Sequence, residues 1–294
     1  MPFLSLIYIK EVILYLMQKR QLCTVSMHPL VKWIGGKTQL LVKLRSMMPK
    51  EYNNYYEPFI GGAALYCNLC PKRAVINDIN PRLINLYNAV KSDTDTLISL
   101  LDNLQNQFNS YPTQREREDF YYEIRTQFNT EPFSTEQASH FVFLNKTCFN
   151  GLYRENAKGE FNASFNGSTN INLYERSNLL NFAKQLQNTT ILNVDFEEAC
   201  KTASKGDFVF FDSPYYDTFD KYTSTMFSEA DHKRLFDLAK SLTTKGCHVM
   251  LTNNDCDYIR ELYADFNITQ IPVKRRVNCD ATNRVGSEII ITNY

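Results

Sequence analysis

Asp212-Ser213-Pro214-Tyr215 follows directly on four apolar residues, Phe208-Val209-Phe210-Phe211. A carboxylate, a proline and an aromatic ring at the carboxyl end of a buried strand stand where open α/β sheets bind ligands. These residue types suit one kind of chemistry. An amine attached to a heteroaromatic ring is a poor nucleophile, because its lone pair is delocalised into the ring. A carboxylate that accepts one N–H, and a backbone carbonyl that accepts the other, favour a pyramidal nitrogen with its lone pair free to attack. Proline restrains the backbone and so aims the carbonyl. The aromatic ring can stack on a planar substrate. Asp-Ser-Pro is also good turn chemistry, so a surface turn is the competing reading of these four residues.

A second constellation lies near the start of the chain. Lys32-Trp33-Ile34-Gly35-Gly36-Lys37 is a glycine-containing loop, and Glu57-Pro58-Phe59-Ile60-Gly61-Gly62-Ala63 is a tight turn. Glycines after a strand let backbone N–H groups and a helix N-terminus approach a ligand closely. Glu57 at the strand end could hydrogen-bond a cationic or amine group. Asp78, about 20 residues further on, stands where such folds place a ribose-binding carboxylate. A helix cap before Pro81 is its alternative role.

These groups need a scaffold, and the sequence supplies its rhythm. Tyr52–Glu57 reads as a short strand, then come the glycine turn and a helix through Leu69, then a strand at Arg73–Asp78 ending in an acid. That order opens a doubly wound α/β sheet. Residues 84 to 174 are polar and aromatic with a helical pattern, and read as an inserted domain. Strand signals return at Thr190–Val194, Phe208–Phe211, His248–Thr252 and Glu288–Thr292. The expected organisation is an N-terminal extension at 1–26, an α/β domain made of 27–83 and 175–294, and a helical domain at 84–174.

Lys plus Arg and Asp plus Glu are 32 each, so any partner that needs cations must meet a local cluster rather than a basic chain. Eight cysteines in a chain of 294 residues read as free thiols of a reducing compartment, because a core of this size needs no disulfide staples. Cys67 and Cys70 supply only half a structural zinc site, and ordinary packing is expected of them. Phe3–Met17 is apolar but is interrupted by Lys10 and Glu11, too short to span a bilayer, and without a basic start or a cleavage site. An extra helix, or translated sequence upstream of a start at Met27, are the two readings. The second is preferred because recognisable chemistry begins at Lys32.

Taken together and in order, the Lys32–Lys37 loop, Glu57-Pro58-Phe59-x-Gly61 and Asp212-Ser213-Pro214-Tyr215 resemble the DNA adenine methylase family. The resemblance runs from Lys32 nearly to Tyr294. It includes Leu144–Arg154, Gly159-Glu160-Phe161-Asn162, Leu251-Thr252-Asn253-Asn254-Asp255 and Lys274-Arg275-Arg276. It implies a Rossmann-like sheet with an inserted DNA-recognition domain, and methyl transfer from S-adenosylmethionine (SAM) to adenine N6 in double-stranded DNA. Transfer would be direct, without a metal or a covalent enzyme intermediate.

By the same resemblance, Trp33 and Lys37 line the SAM pocket, Glu57, Pro58 and Phe59 surround its methionine part, and Gly61 is also cofactor-binding. Asp78 holds the ribose, and Asp195-Phe196 flanks the adenine. Asp212 accepts from the target amine, the Ser213–Pro214 backbone supplies the carbonyl, and Tyr215 stacks on the flipped base. Phe149 is placed to wedge into the base stack. Asn150 and Arg154 suit adenine and guanine edges, with a phosphate contact as the alternative for Arg154. Lys32 reaches a base edge or phosphate, and Lys274, Arg275, Arg276 and Arg284 form a basic hairpin on the backbone. GATC is the implied site, with another short adenine-containing sequence as the alternative. A monomer in solution, in a prokaryotic or viral setting and away from membranes, is expected.

Three positions depart from the family pattern. Ser213 stands where a second proline is usual, Ala63 where glycine is frequent, and Ser164 where GATC-specific relatives often carry proline. Ala63 fits its turn without strain only if its φ is negative. Cytosine-N4 methylation, RNA methylation and an inactive DNA-binding homologue are the competing functions.

Overall fold

The computed structural model describes residues 27–216, 227–274 and 285–294. The expected extension at 1–26 and the basic residues Arg275, Arg276 and Arg284 lie outside the described residues, and Lys274 is described only as the last residue of a strand.

A 3-10 turn at Lys37–Gln39 leads into α1 (Leu41–Met47). Then follow β1 (Tyr55–Glu57), α2 (Ala64–Leu69), β2 (Ala74–Asn77) and four helices, α3 (Pro81–Ser92), α4 (Thr94–Ser110), α5 (Gln114–Thr130) and α6 (Thr135–Thr147). The chain continues through α7 (Arg176–Leu186), β3 (Thr189–Leu192), α8 (Phe196–Ala199), β4 (Phe208–Phe211), α9 (Glu229–Thr244), β5 (His248–Asn254), α10 (Asp257–Leu262), β6 (Asn267–Lys274) and β7 (Val285–Thr292). The seven strands form one sheet in the order β3-β2-β1-β4-β5-β7-β6. β1 to β5 pair in parallel, and β7 runs antiparallel between β5 and β6. This is the Rossmann-like α/β architecture that the resemblance implied.

Both faces of the sheet are covered, and the strands show it residue by residue. Phe208, Phe210, Met250 and Ile290 enter the core on one face. Val209, Phe211, Val249, Leu251, Ile289 and Ile291 enter the core on the other. That is the period of two of a strand, with apolar side chains demanded on each side. β6 is a strand beyond those expected from the sequence, and it contains Pro272. The proline is tolerated because, among the described residues, β6 pairs only with β7 and lies at the sheet edge, where a missing N–H breaks no inner ladder.

The helices between β2 and β3 have their own start signals. The Asn80 side chain caps α3 by accepting from the N–H groups of Arg82 and Leu83, so the capping role considered for Asp78 belongs to Asn80. Thr113 and Glu116 form a capping box on α5, and Ser134 caps α6. α6 is buried along nearly its whole length, with its own Phe143 packed on Phe108 and Phe120 and its Phe141 on Phe128. α3 packs on α6 and α4 as well as on α7 and β3, so the helices share a continuous core with one face of the sheet. After α6 the chain is irregular to residue 175, apart from a 3-10 turn at Phe149–Gly151.

Cys67, Cys148, Cys200, Cys247 and Cys256 carry free thiols, in line with the sequence reading. Cys70 departs from it and is disulfide-bonded. Among the described residues no helix is long and apolar enough to cross a membrane, and no group of three or more His, Cys, Asp or Glu is placed to hold a metal ion.

Candidate active site

β1 and β4 are parallel neighbours, and the chain leaves them in opposite directions along the sheet. Their carboxyl ends therefore flank the crevice where such sheets bind ligands. Glu57 ends β1, and Asp212 follows directly on β4. Asp212 Oδ1 accepts from Lys37 Nζ at 2.6 Å and from Thr252 Oγ1 at 2.7 Å. Among the described residues Oδ2 accepts no hydrogen bond. The Lys37 ammonium also donates to Gly35 O at 2.7 Å and lies 4.7 Å from the Tyr215 ring centre. Lys37 thus sits with Asp212 and Tyr215, at the carboxyl end of β4.

The tetrapeptide is not a free surface turn. The Tyr215 hydroxyl donates to Glu288 Oε2 at 2.8 Å, and burial pushes its pKa well above the usual phenol value. Asn253 Oδ1 accepts from Tyr216 N at 3.0 Å, and Asn254 Nδ2 donates to Tyr216 O at 2.8 Å. Ser213 is buried, and its hydroxyl finds no partner among the described residues. Pro214 is exposed.

On the other side of the crevice, Asn77 joins three strand ends. Its side chain donates to Pro58 O and Val194 O and accepts from Val194 N, at 2.9, 3.0 and 2.9 Å. Sequence reasoning missed it, although its position beside Asp78 at the end of an apolar strand was a usable signal. Asp78 accepts from Gly61 N and Asn80 N, each at 3.0 Å, and so ties the glycine turn to the start of α3. Burial raises its pKa, and those backbone N–H groups act against the rise.

Glu57 is 3% exposed and accepts from the Tyr55 hydroxyl at 2.7 Å. Burial pushes its carboxyl well above the usual range, the Tyr55 hydrogen bond opposes this, and Asp212 adds to it. Among the described residues no Lys, Arg or His forms an ion pair with it. Phe59 and Phe196 lie 5.4 Å apart, centre to centre, and the Arg234 guanidinium covers Phe196 at 4.8 Å. Asp195 caps α8 through Glu197 N and pairs with Arg234 at 2.8 Å. The sequence pattern gave no hint of Arg234, which is 39 residues away from Asp195.

Gly61 is required by geometry. A Cβ there would meet Trp33 Cδ1 at 2.7 Å, and φ is +46°. Two residues on, Ala63 has φ +62° and ψ +34°, the left-handed region, with its methyl fully buried. The condition for a strain-free alanine is therefore not met.

The helical side reaches this crevice through Asn145 and Tyr153. Asn145 Oδ1 accepts from Lys32 N at 2.7 Å, and its Nδ2 donates to Lys32 O at 2.8 Å and Gly151 O at 3.2 Å. Trp33 stacks on Tyr153 at 5.4 Å. Lys32 is exposed, with its side chain against Gly151, where a Cβ would meet Lys32 Cδ at 2.4 Å. Phe149 is 57% exposed, a high value for phenylalanine, and Asn150 beside it is exposed with φ +56°. Arg154 is exposed, and Asn162 holds its guanidinium, with Nε on Oδ1 at 2.6 Å and Nη2 on the backbone O at 3.1 Å.

Residues 33–277 match the D12 class N6 adenine-specific DNA methyltransferases. The chain belongs to that family. It is 38% identical over 291 residues to the type II methyltransferase M1.LlaDCHI of Lactococcus lactis subsp. cremoris, covering 95% of this chain and 99% of that protein. It is 37% identical over 290 residues to the type II methyltransferase M.MjaIII of Methanocaldococcus jannaschii, covering 92% of this chain and all of that one (100%). A DNA adenine methylase of Haemophilus influenzae is 34% identical over 274 residues, with 90% and 93% covered. This D12-class methyltransferase is therefore an adenine-N6 DNA methyltransferase with SAM as methyl donor. The residues present fit that donor: Glu57 at the end of β1 is a buried carboxyl without an ion pair among the described residues, and Phe59 and Phe196 pair their rings beyond the ends of β1 and β3.

Proposed function

We propose that this methyltransferase acts on the adenine of GATC in double-stranded DNA, with the target base turned out of the duplex. One observation carries the assignment of Asp212: its Oδ1 is held by Lys37 and Thr252 while Oδ2 has no partner among the described residues, beside the Tyr215 ring. Bound SAM supplies an electrophilic methyl group on a sulfonium. Glu57 would hold the donor's ammonium, Asp78 its ribose, and Asp195 with Phe59 and Phe196 its adenine. Trp33 and Lys37 shape the same crevice from the N-terminal loop.

Asp212 Oδ2 accepts one N–H of the target amine, and the backbone carbonyl between Ser213 and Pro214 accepts the other. The nitrogen is thereby drawn out of conjugation, with its lone pair toward the methyl group. Tyr215 stacks on the base and keeps it flat against the site. An extrahelical base is needed because the N6 amine of a stacked, paired adenine cannot reach a crevice at strand ends.

Residues 84–174 are read as the DNA-reading part, set between the two catalytic segments 27–83 and 175–294. The exposed Phe149 wedges into the stack. Lys32, Asn150 and Arg154 meet base edges or phosphate, and Lys274, Arg275 and Arg276 contact the backbone. The support for GATC is the motif pattern of the loop that follows α6. Asn145 and Tyr153 hold that loop against the Lys32–Trp33 segment.

Methyl transfer from labelled SAM to a duplex carrying GATC, and to a control in which only that adenine is replaced, tests the reading. Incorporation in the first and not in the control is expected. Equal incorporation would remove the GATC assignment, and incorporation into neither would favour a DNA-binding homologue without turnover.

A further inference from the structure

β5 ends on Leu251-Thr252-Asn253-Asn254, and the side chains of Thr252, Asn253 and Asn254 grip the loop that carries Asp212 and Tyr215. We propose that Thr252 is a positioning residue for methyl transfer, one that aims Asp212 at the target amine. The proposal rests on the reading of Asp212 as the acceptor for that amine.

Thr252 is fully buried, and its hydroxyl donates to Asp212 Oδ1 at 2.7 Å. A buried hydroxyl that lacks this acceptor would lose a hydrogen bond with no water to replace it. A β-branched residue in a strand has a restricted χ1, so the direction of Oγ1 is fixed by the backbone of β5. With Lys37 Nζ on the same oxygen at 2.6 Å, Oδ1 is fully engaged, and the carboxyl plane cannot turn to exchange its two oxygens. Oδ2 is thereby the oxygen presented to a substrate. Thr252 makes the selection by geometry and does not itself meet the reacting atoms.

The neighbouring strand completes the frame. β5 and β7 pair so that Thr252 faces Ile290 and Asn254 faces Glu288. Thr252 and Glu288 therefore project from the same face of the sheet, two positions apart. Glu288 holds the Tyr215 hydroxyl at 2.8 Å, and Asn253 and Asn254 hold the backbone of Tyr216 at 3.0 and 2.8 Å. Four side chains thus restrain residues 212 to 216. This is restraint of the kind a proline at position 213 would give, and here that position is serine.

The test is single-turnover methyl transfer at saturating SAM and duplex DNA, with binding of each measured separately. Thr252→Val removes only the hydroxyl and keeps the shape. We expect a fall in rate of about 10- to 100-fold, since small misplacements of a reacting group cost this much. SAM and DNA binding should stay within about twofold of the parent, and Thr252→Ser, which restores the hydroxyl, should recover most of the rate. A Thr252→Val rate within twofold of the parent, a Thr252→Ser rate as low as that of Thr252→Val, or a matching loss of SAM binding would each overturn the proposal. Should Thr252→Val not fold, Thr252→Ser against Thr252→Ala isolates the same hydroxyl, and equal rates would overturn it. Asp212→Ala is run alongside. If that variant stays active, the reading of Asp212 fails; if it is inactive while Thr252→Val is not, only the role of Thr252 fails.

Discussion

Lys37 and Asp212, 175 residues apart in the chain, form an ion pair at 2.6 Å with side chains only 8% and 17% exposed. Two charges taken this far from water must compensate each other, because the loss of either leaves the other buried and alone. The pair also joins the N-terminal loop to the end of β4, so one contact fixes that loop and the proposed acceptor of the target amine together.

Lys37→Met should therefore cost more than an ordinary surface change, about 3 kcal/mol of unfolding free energy, with methyl transfer lost. Asp212→Asn made in that background should cost less than it does in the parent, with a coupling of about 1–3 kcal/mol. Urea unfolding of the four proteins measures this. Additive effects within about 0.5 kcal/mol would show that the contact is not energetically real.

Arg154 is held by Asn162 through Nε and Nη2, which fixes the guanidinium plane and leaves Nη1 without a contact to Asn162. An orientation fixed in this way suits base reading better than a swinging phosphate contact. Arg154→Ala should reduce discrimination at one guanine of the site by about 1–3 kcal/mol. Relative kcat/KM values on duplexes substituted one base pair at a time would report it. An equal loss on every sequence would assign Arg154 to phosphate.

Ala63 occupies the left-handed region at φ +62° without the freedom of glycine. Such a backbone costs an L-residue about 1–2 kcal/mol. The greater unfolded-state entropy of glycine offsets about 0.4–1 kcal/mol of what relief would gain. Ala63→Gly should therefore stabilise the protein by up to about 1 kcal/mol. A lower urea midpoint for the variant would mean that packing of the buried methyl outweighs the strain.

The parts of the site that were legible in the sequence are those encoded by local rhythm. Phe208–Phe211 read as a buried strand, and β4 has those bounds. The glycine turn after β1 and the acid after β2 also fell where periodicity put them. The illegible parts are contacts between strand ends far apart in sequence. Neither Lys37 on Asp212, nor Glu288 on Tyr215, nor Asn77 across three strands leaves a periodic trace. The sign of φ at Ala63 was likewise hidden, because residue type suggests a backbone region but does not impose it. Ser213 could be seen to replace a proline, yet the side chains from β5 and β7 that restrain its loop could not.

His232 on α9 gives the last prediction. It is 1% exposed, both ring nitrogens lack partners among the described residues, and its ring lies against those of Phe227 and Tyr216, 4.8 and 5.6 Å away centre to centre. Burial pushes its pKa down from 6.5 to about 4, against the opposing pull of Asp231 and Glu229. Above pH 6.5 neither the folded nor the unfolded form binds this proton, so no penalty exists. Between pH 6.5 and 4 the unfolded chain takes up the proton and the folded chain does not, so stability must fall as pH falls. The contribution of this one group is at most about 1.4 kcal/mol per pH unit. His232→Phe keeps an aromatic ring at this position and removes the linkage, so its stability should decline less steeply over that window. Urea unfolding at several pH values compares the two slopes, and equal slopes would place the acid sensitivity in other groups.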